Sequence, residues 1–168
     1  MKKNTLFLYV MICLVALLLN PQVSIGQNKK DSARAAVITA LIIDQEYTFK
    51  ASSVTPSGGR LRQLTSEYDL QISKEQVVAY LPYFGRAFSA PIGNSASGIQ
   101  FTSKDFEYTL SEKKKAGWDV TIKFKDAQDT RQMQLSIFDN GSATLQVMSN
   151  NRQPINFNGN IVPPGKKK

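Results

Sequence analysis

Histidine is absent from the 168 residues, and cysteine occurs once. That thiol, Cys13, lies inside the apolar run Leu6 to Leu19, which follows Lys2 and Lys3. With no histidine, and no thiol beyond that run, the chain cannot build the usual zinc sites, a Ser-His-Asp or Cys-His nucleophile, or a disulfide-exchange centre. Phosphate loops and dinucleotide fingerprints are missing too, since Gly58-Gly59 separates two strand patterns instead of joining a strand to a helix. A carboxylate-pair hydrolase stays formally open, because 12 acidic residues follow Asp31. Those that can be placed fall in turns or on polar strand faces, as Glu67 and Asp69 do, so the expectation is a chain without enzymatic activity, metal or cofactor.

Long apolar runs are equally scarce. Leu6 to Leu19 is 14 residues long, short of the roughly 20 needed to span a bilayer as a helix. Its positive start and the small residues of Ser24-Ile25-Gly26 give it the layout of a secretory signal peptide, with cleavage before Gln27. Ile12 stands before Cys13 where a lipoprotein signal needs a small residue, so no lipid is expected there. The organisation read from these features is a signal peptide over 1–26, a flexible segment over 27–31, one β-rich domain over 32–162 and a basic tail over 163–168. Export without disulfides suits a periplasmic or secreted envelope protein that holds itself together with an apolar core.

The formal charge of +8 says less than its size suggests. Lys2 and Lys3 leave with the signal, and Lys29, Lys30 and Lys166 to Lys168 against Asp31 carry a net +4, leaving +2 on residues 32–165. No basic stripe interleaved with aromatics marks a nucleic-acid surface. The tails read as solvated ends, or as a weak tether to an anionic envelope surface.

Asp31 or Ser32 can cap an amphipathic helix whose stripe is Val37, Ile38, Leu41 and Ile42, running to about Asp44. From Glu46 the period changes to 2. Tyr47, Phe49 and Ala51 alternate with polar residues, and Leu64, Ser66, Tyr68, Leu70 and Ile72 share one face of the next strand. Gln76 to Tyr80 is a short strand leading into Leu81-Pro-Tyr-Phe-Gly-Arg-Ala-Phe88. There Pro82 and a Gly85 free to take positive φ predict a kink, with Arg86 to Ala90 as its continuation and Pro91 to Gly98 as a loop. Further strands follow at Ile99–Phe101, Phe106–Leu110, Trp118–Phe124, Met133–Ile137, Ala143–Val147 and Ile155–Ile161, with Asp139-Asn140-Gly141-Ser142 as a hairpin turn. The spacing predicts a mainly β fold: an antiparallel up-and-down β-barrel, or strongly curved sheet, of about eight strands with one N-terminal amphipathic helix that can plug an end. A two-sheet sandwich is the alternative.

The central octapeptide, together with Tyr68-Asp-Leu-Gln-Ile72, Gly98-Ile-Gln-Phe101, Gly117-Trp118 and Asn151-Arg-Gln153, resembles a family of exported Bacteroidota proteins of unknown function, numbered 4251. The resemblance runs from about residue 34 to Ile161 and implies export and a lipocalin-like barrel. It brings no activity, cofactor or catalytic residue. Many members of that family resemble lipoproteins with cysteine at the cleavage point; this chain has Gln27 there, which argues against an anchor.

Two functions fit these readings. In the first, the barrel interior binds a small, partly apolar ligand between Tyr83, Phe84, Phe88, Phe101, Tyr108 and Trp118, while Arg86 or Arg152 meets an acidic group. Each aromatic can equally be plain core, and either arginine can simply stack on a ring or order a loop. In the second, an exposed apolar patch or sheet edge contacts another envelope protein, which requires Tyr80, Tyr83 or Phe84 at the surface.

Overall fold

The computed structural model describes residues 25–88, 98–114 and 116–165. The expected signal peptide, apart from its last two residues, the 89–97 stretch and the last three lysines lie outside them. The chain divides after Lys30 into two units. Of the first, Ile25–Lys30 are helical; the second carries the rest of that helix and the sheet.

Helix α1 spans Ile25–Asp44, so Asp31 and Ser32 lie inside it and do not cap it. The reason is local. An N-cap needs a residue outside helical geometry, and Gln27-Asn28-Lys29-Lys30 contains neither proline nor glycine to end the helix coming from upstream. At the other end Gln45 takes a left-handed conformation, φ 56°. Its N–H donates to the Ile42 carbonyl at 3.2 Å and that of Glu46 to Leu41 at 3.1 Å, the paired bonds of a Schellman cap. Ile38 and Ile42 face inward and belong to the same buried cluster as the sheet, while Val37 and Ile43 stay exposed.

Nine strands follow among the described residues: β1 (Tyr47–Pro56), β2 (Arg62–Ile72), β3 (Val77–Pro82), β4 (Gly98–Ser103), β5 (Phe106–Glu112), β6 (Trp118–Phe124), β7 (Thr130–Ile137), β8 (Ser142–Ser149) and β9 (Ile155–Val162). They form one antiparallel sheet in the order β4-β3-β2-β1-β9-β8-β7-β6-β5. Two up-and-down runs, β1 to β4 and β5 to β9, are thus joined by pairing β1 with β9, where Phe49 opposes Ile161. The sheet curls into a nearly closed barrel-like form, as the alternation predicts.

The two end strands, β4 and β5, are linked through Lys104 and Asp105. Side chains hold this corner. The Asp126 carboxylate, just beyond β6, accepts from the Ser103 hydroxyl and from the backbone N–H groups of Lys104 at 2.8 Å and Asp105 at 3.2 Å. Phe101 of β4 meets Phe124 of β6 edge-on, ring centroids 5.0 Å apart.

On β6, β7 and β8 alternation puts every second residue inside. Val120 and Ile122, then Met133, Leu135 and Ile137, then Leu145 and Val147, are buried as read. The face read on β2 holds only at its end, where Leu70 and Ile72 are buried; Leu64 and Tyr68 are half-buried and Ser66 is exposed. Pairing explains the difference. β3 covers β2 only from Asp69 to Ile72, so the first half of β2 projects past its neighbour. Of the expected strand over Arg86 to Ala90, residues 89 and 90 lie outside the described residues, and among 86–88 Ala87 makes one isolated bridge to Arg152 without a strand.

Candidate functional site

The Leu81 to Phe88 segment begins as the end of β3, with Leu81 and Pro82 buried, and then leaves the sheet. It is fastened to the β8–β9 connection. The Phe88 N–H donates to the Asn151 carbonyl at 2.8 Å and the Gln153 N–H to the Arg86 carbonyl at 3.1 Å. The Tyr83 hydroxyl faces two carbonyls, Arg86 at 2.8 Å and Gln153 at 3.1 Å, and shares its one proton between them. Burial pushes that hydroxyl above its usual range, against the lowering pull of the Arg152 guanidinium.

Arg152 is the pin of this arrangement. Its Nε lies 2.9 Å from the Asp129 carboxylate, an Nη donates to the Gly98 carbonyl at 3.0 Å, and its guanidinium sits 5.0 Å over the Tyr83 ring. Three connections and the start of β4 meet on one side chain. Gly85 has no positive φ, contrary to the kink reading. Its lack of a side chain serves space instead: a Cβ there would sit 2.5 Å from the Tyr83 hydroxyl oxygen.

Beside this segment lies an open cleft of about 370 Å³, walled on one side by the β1–β2 turn, Pro56 to Arg62, and on the other by Phe84, Gly85, Arg86 and Gln153. The turn is closed by the Gly59 N–H donating to the Pro56 carbonyl at 3.0 Å, and Gly58 supplies its left-handed residue, φ 73°. Arg60, Arg62 and Arg86 line the cleft with Phe84, and no carboxylate does. Arg62 stacks on the exposed Phe84 ring at 5.4 Å. None of the three arginines makes an ion pair among the described residues.

Of the residues expected to line a ligand site, Phe84 and Arg86 therefore lie in one cleft, with Tyr83 and Arg152 supporting it from behind. Phe88 is 71% exposed beside Asn151. Phe101, Tyr108 and Trp118 sit apart on β4, β5 and β6, each half-buried against the core. Tyr108 is engaged otherwise: its hydroxyl donates to the Ile42 carbonyl at 3.3 Å and stands 3.1 Å from that of Tyr47. Arg60 and Arg62 escaped the sequence reading, although the Gly-Gly-Arg-Leu-Arg string, two arginines close behind a glycine turn with no acid nearby, was the available signal.

Among the described residues no three acidic, cysteine or histidine side chains gather as metal ligands, and no helix is long and apolar enough to cross a membrane. None of the curated proteins matches the chain. A DUF4251 family protein from Bacteroides eggerthii, known from its crystal structure, is similar to it with a TM-score of 0.60 and 15% sequence identity, over 80% of this chain and 91% of that one. At that identity the likeness carries the fold alone. Residues 29–161 match the family described as a domain of unknown function, DUF4251, and the chain belongs to that family.

Proposed function

We propose that this chain is an exported, non-enzymatic binding protein whose small, partly apolar, anionic ligand lies in the cleft between the β1–β2 turn and Phe84 to Arg86. One observation carries the reading: three guanidiniums without acidic partners share a cleft with an exposed aromatic ring. Arginine forks pair with carboxylate or phosphate, and the ring offers the apolar part a face. The barrel interior is the poorer candidate. Phe49, Leu81, Met133 and Phe157 have no accessible surface, and a side chain without accessible surface borders no space that holds a water. Export rests on the leader layout, with cleavage near Gly26 and Gln27.

Native mass spectrometry of the protein purified gently from its own cells tests this reading. A small-mass adduct is expected, lost on denaturation and absent from the variant carrying Arg60→Gln, Arg62→Gln and Arg86→Gln. An envelope-interaction module is the second reading, favoured by the exposure of Tyr80, Phe84 and Phe88. A clean apo mass with a co-purifying protein would displace the first reading in favour of the second.

A further inference from the structure

We infer that the group held in the cleft is a doubly charged phosphoryl monoester; the inference rests on the binding reading above and names its ligand class. The choice of cation is the first argument. Lysines outnumber arginines 15 to 6 in the chain, yet the cleft holds three arginines and no lysine. A site that needed only positive potential would draw on the commoner, more flexible cation. Arginine is the side chain whose rigid fork matches an oxyanion by paired N–H bonds.

The second argument is stoichiometric. A carboxylate has two oxygens in one plane and a single charge, enough to occupy one fork well. A phosphoryl monoester presents three terminal oxygens in three directions and, above its second pKa near about 6, carries close to two charges. Three guanidiniums approaching from two walls of a cleft fit the second shape. No carboxylate on those walls neutralises them, so the ligand brings the charge.

Phe84 sets the rest. The Arg62 guanidinium carbon lies over the Phe84 ring, 5.4 Å from its centre, a contact that uses none of the guanidinium N–H donors in an ion pair. The exposed side of the ring and the Pro56 wall then meet whatever carries the phosphoryl group. Because the cleft is open, the carrier extends outward, and a sugar phosphate and a lipid headgroup satisfy it by the same contacts.

Titration calorimetry with phenyl phosphate and benzoate, the same ring on two anions, tests the assignment. Phenyl phosphate is expected to bind at least about tenfold more tightly, a difference of about 1.4 kcal/mol, and to tighten as pH rises through about 6. Replacing all three arginines by lysine keeps the charge and should still weaken phenyl phosphate about tenfold, because the forks are gone. Arginine-dependent binding of both probes with equal affinity would overturn the phosphoryl assignment and leave the binding reading standing. No arginine-dependent binding of either would overturn both. Glucose 6-phosphate and phosphatidylcholine vesicles containing phosphatidic acid then separate the sources: arginine-dependent binding to either supports the assignment and names the carrier.

Discussion

The Tyr47 hydroxyl lies 3.1 Å from that of Tyr108, and because Tyr108 donates onward to the Ile42 carbonyl, Tyr47 is the donor of the pair. A proton-ordered chain therefore runs from a wholly buried tyrosine on β1, through β5, to the capped end of α1. Burial holds the Tyr47 hydroxyl well above its usual range, and the adjacent Tyr108 adds to the effect. A folded-state pKa raised above the unfolded one means stability that is complete below about pH 10 and lost as pH climbs further. Tyr47→Phe should cost about 1 kcal/mol at neutral pH for the lost bond and move the alkaline unfolding limb to higher pH. Identical alkaline midpoints for both proteins in a pH series of melts would refute the linkage.

Gln45 caps α1 in a conformation that suits glycine. Its left-handed φ places Cβ against the carbonyl, a strain of about 1–2 kcal/mol that Gly lacks, offset in part by the greater chain entropy of Gly when unfolded. Gln45→Gly is expected to stabilise the fold by about 0.5–1 kcal/mol, read as a raised urea midpoint with an unchanged slope.

Gly85→Ala should do the opposite. Its new Cβ would press on a Tyr83 hydroxyl already held by two carbonyls, so the ring or the segment must move, at about 1–3 kcal/mol. Tyr83→Phe in the same chain removes the nearest obstruction, the hydroxyl oxygen, and leaves the ring carbon Cζ, 2.7 Å from the new Cβ, to shift. The double variant is expected to fall short of the summed single losses, and strict additivity in a double-mutant cycle would count against this contact.

Asp126 gives the barrel corner an acid limit. Bonds from the Ser103 hydroxyl and the Lys104 and Asp105 backbone hold its carboxyl below the usual range. The sign follows: its stabilisation is present above the unfolded value near about 4 and is lost as pH falls through the lower folded value. Asp126→Asn should be less stable at pH 7, because a neutral amide oxygen accepts the Lys104 and Asp105 N–H bonds more weakly than a carboxylate, and should show a shallower acid loss, because the amide does not titrate. Denaturant midpoints collected between neutral and acid pH provide the check.

Much of the sheet was legible because its two faces differ in chemistry. Within Trp118–Phe124, Met133–Ile137 and Ala143–Val147 apolar and polar residues alternate, and those strands lie where the period puts them. The Asp139-Asn140-Gly141-Ser142 turn was legible from turn chemistry, and the Asn140 side chain accepts from the Ser142 N–H at 2.9 Å. The start of α1 was not, because a cap-type residue inside a helix looks the same in sequence as one at its end. The role of Gly85 was hidden for a different reason: it depends on where the Tyr83 hydroxyl lies, which no local pattern encodes. Phe84 and Arg86 were picked out together and do share a cleft. Arg60 and Arg62 read as ordinary polar positions of a turn and a strand start, since their common destination is a tertiary matter.

Among the described residues β9 is the last strand in sequence and a middle strand in space, between β1 and β8. β1 to β4 and β5 to β8 can each pair internally, but each half keeps a bare edge until residues 155–162 join them. Completion is thus timed by the final strand. A chain ending before Ile155 would hold two unjoined sheets with adhesive edges, not a shortened barrel.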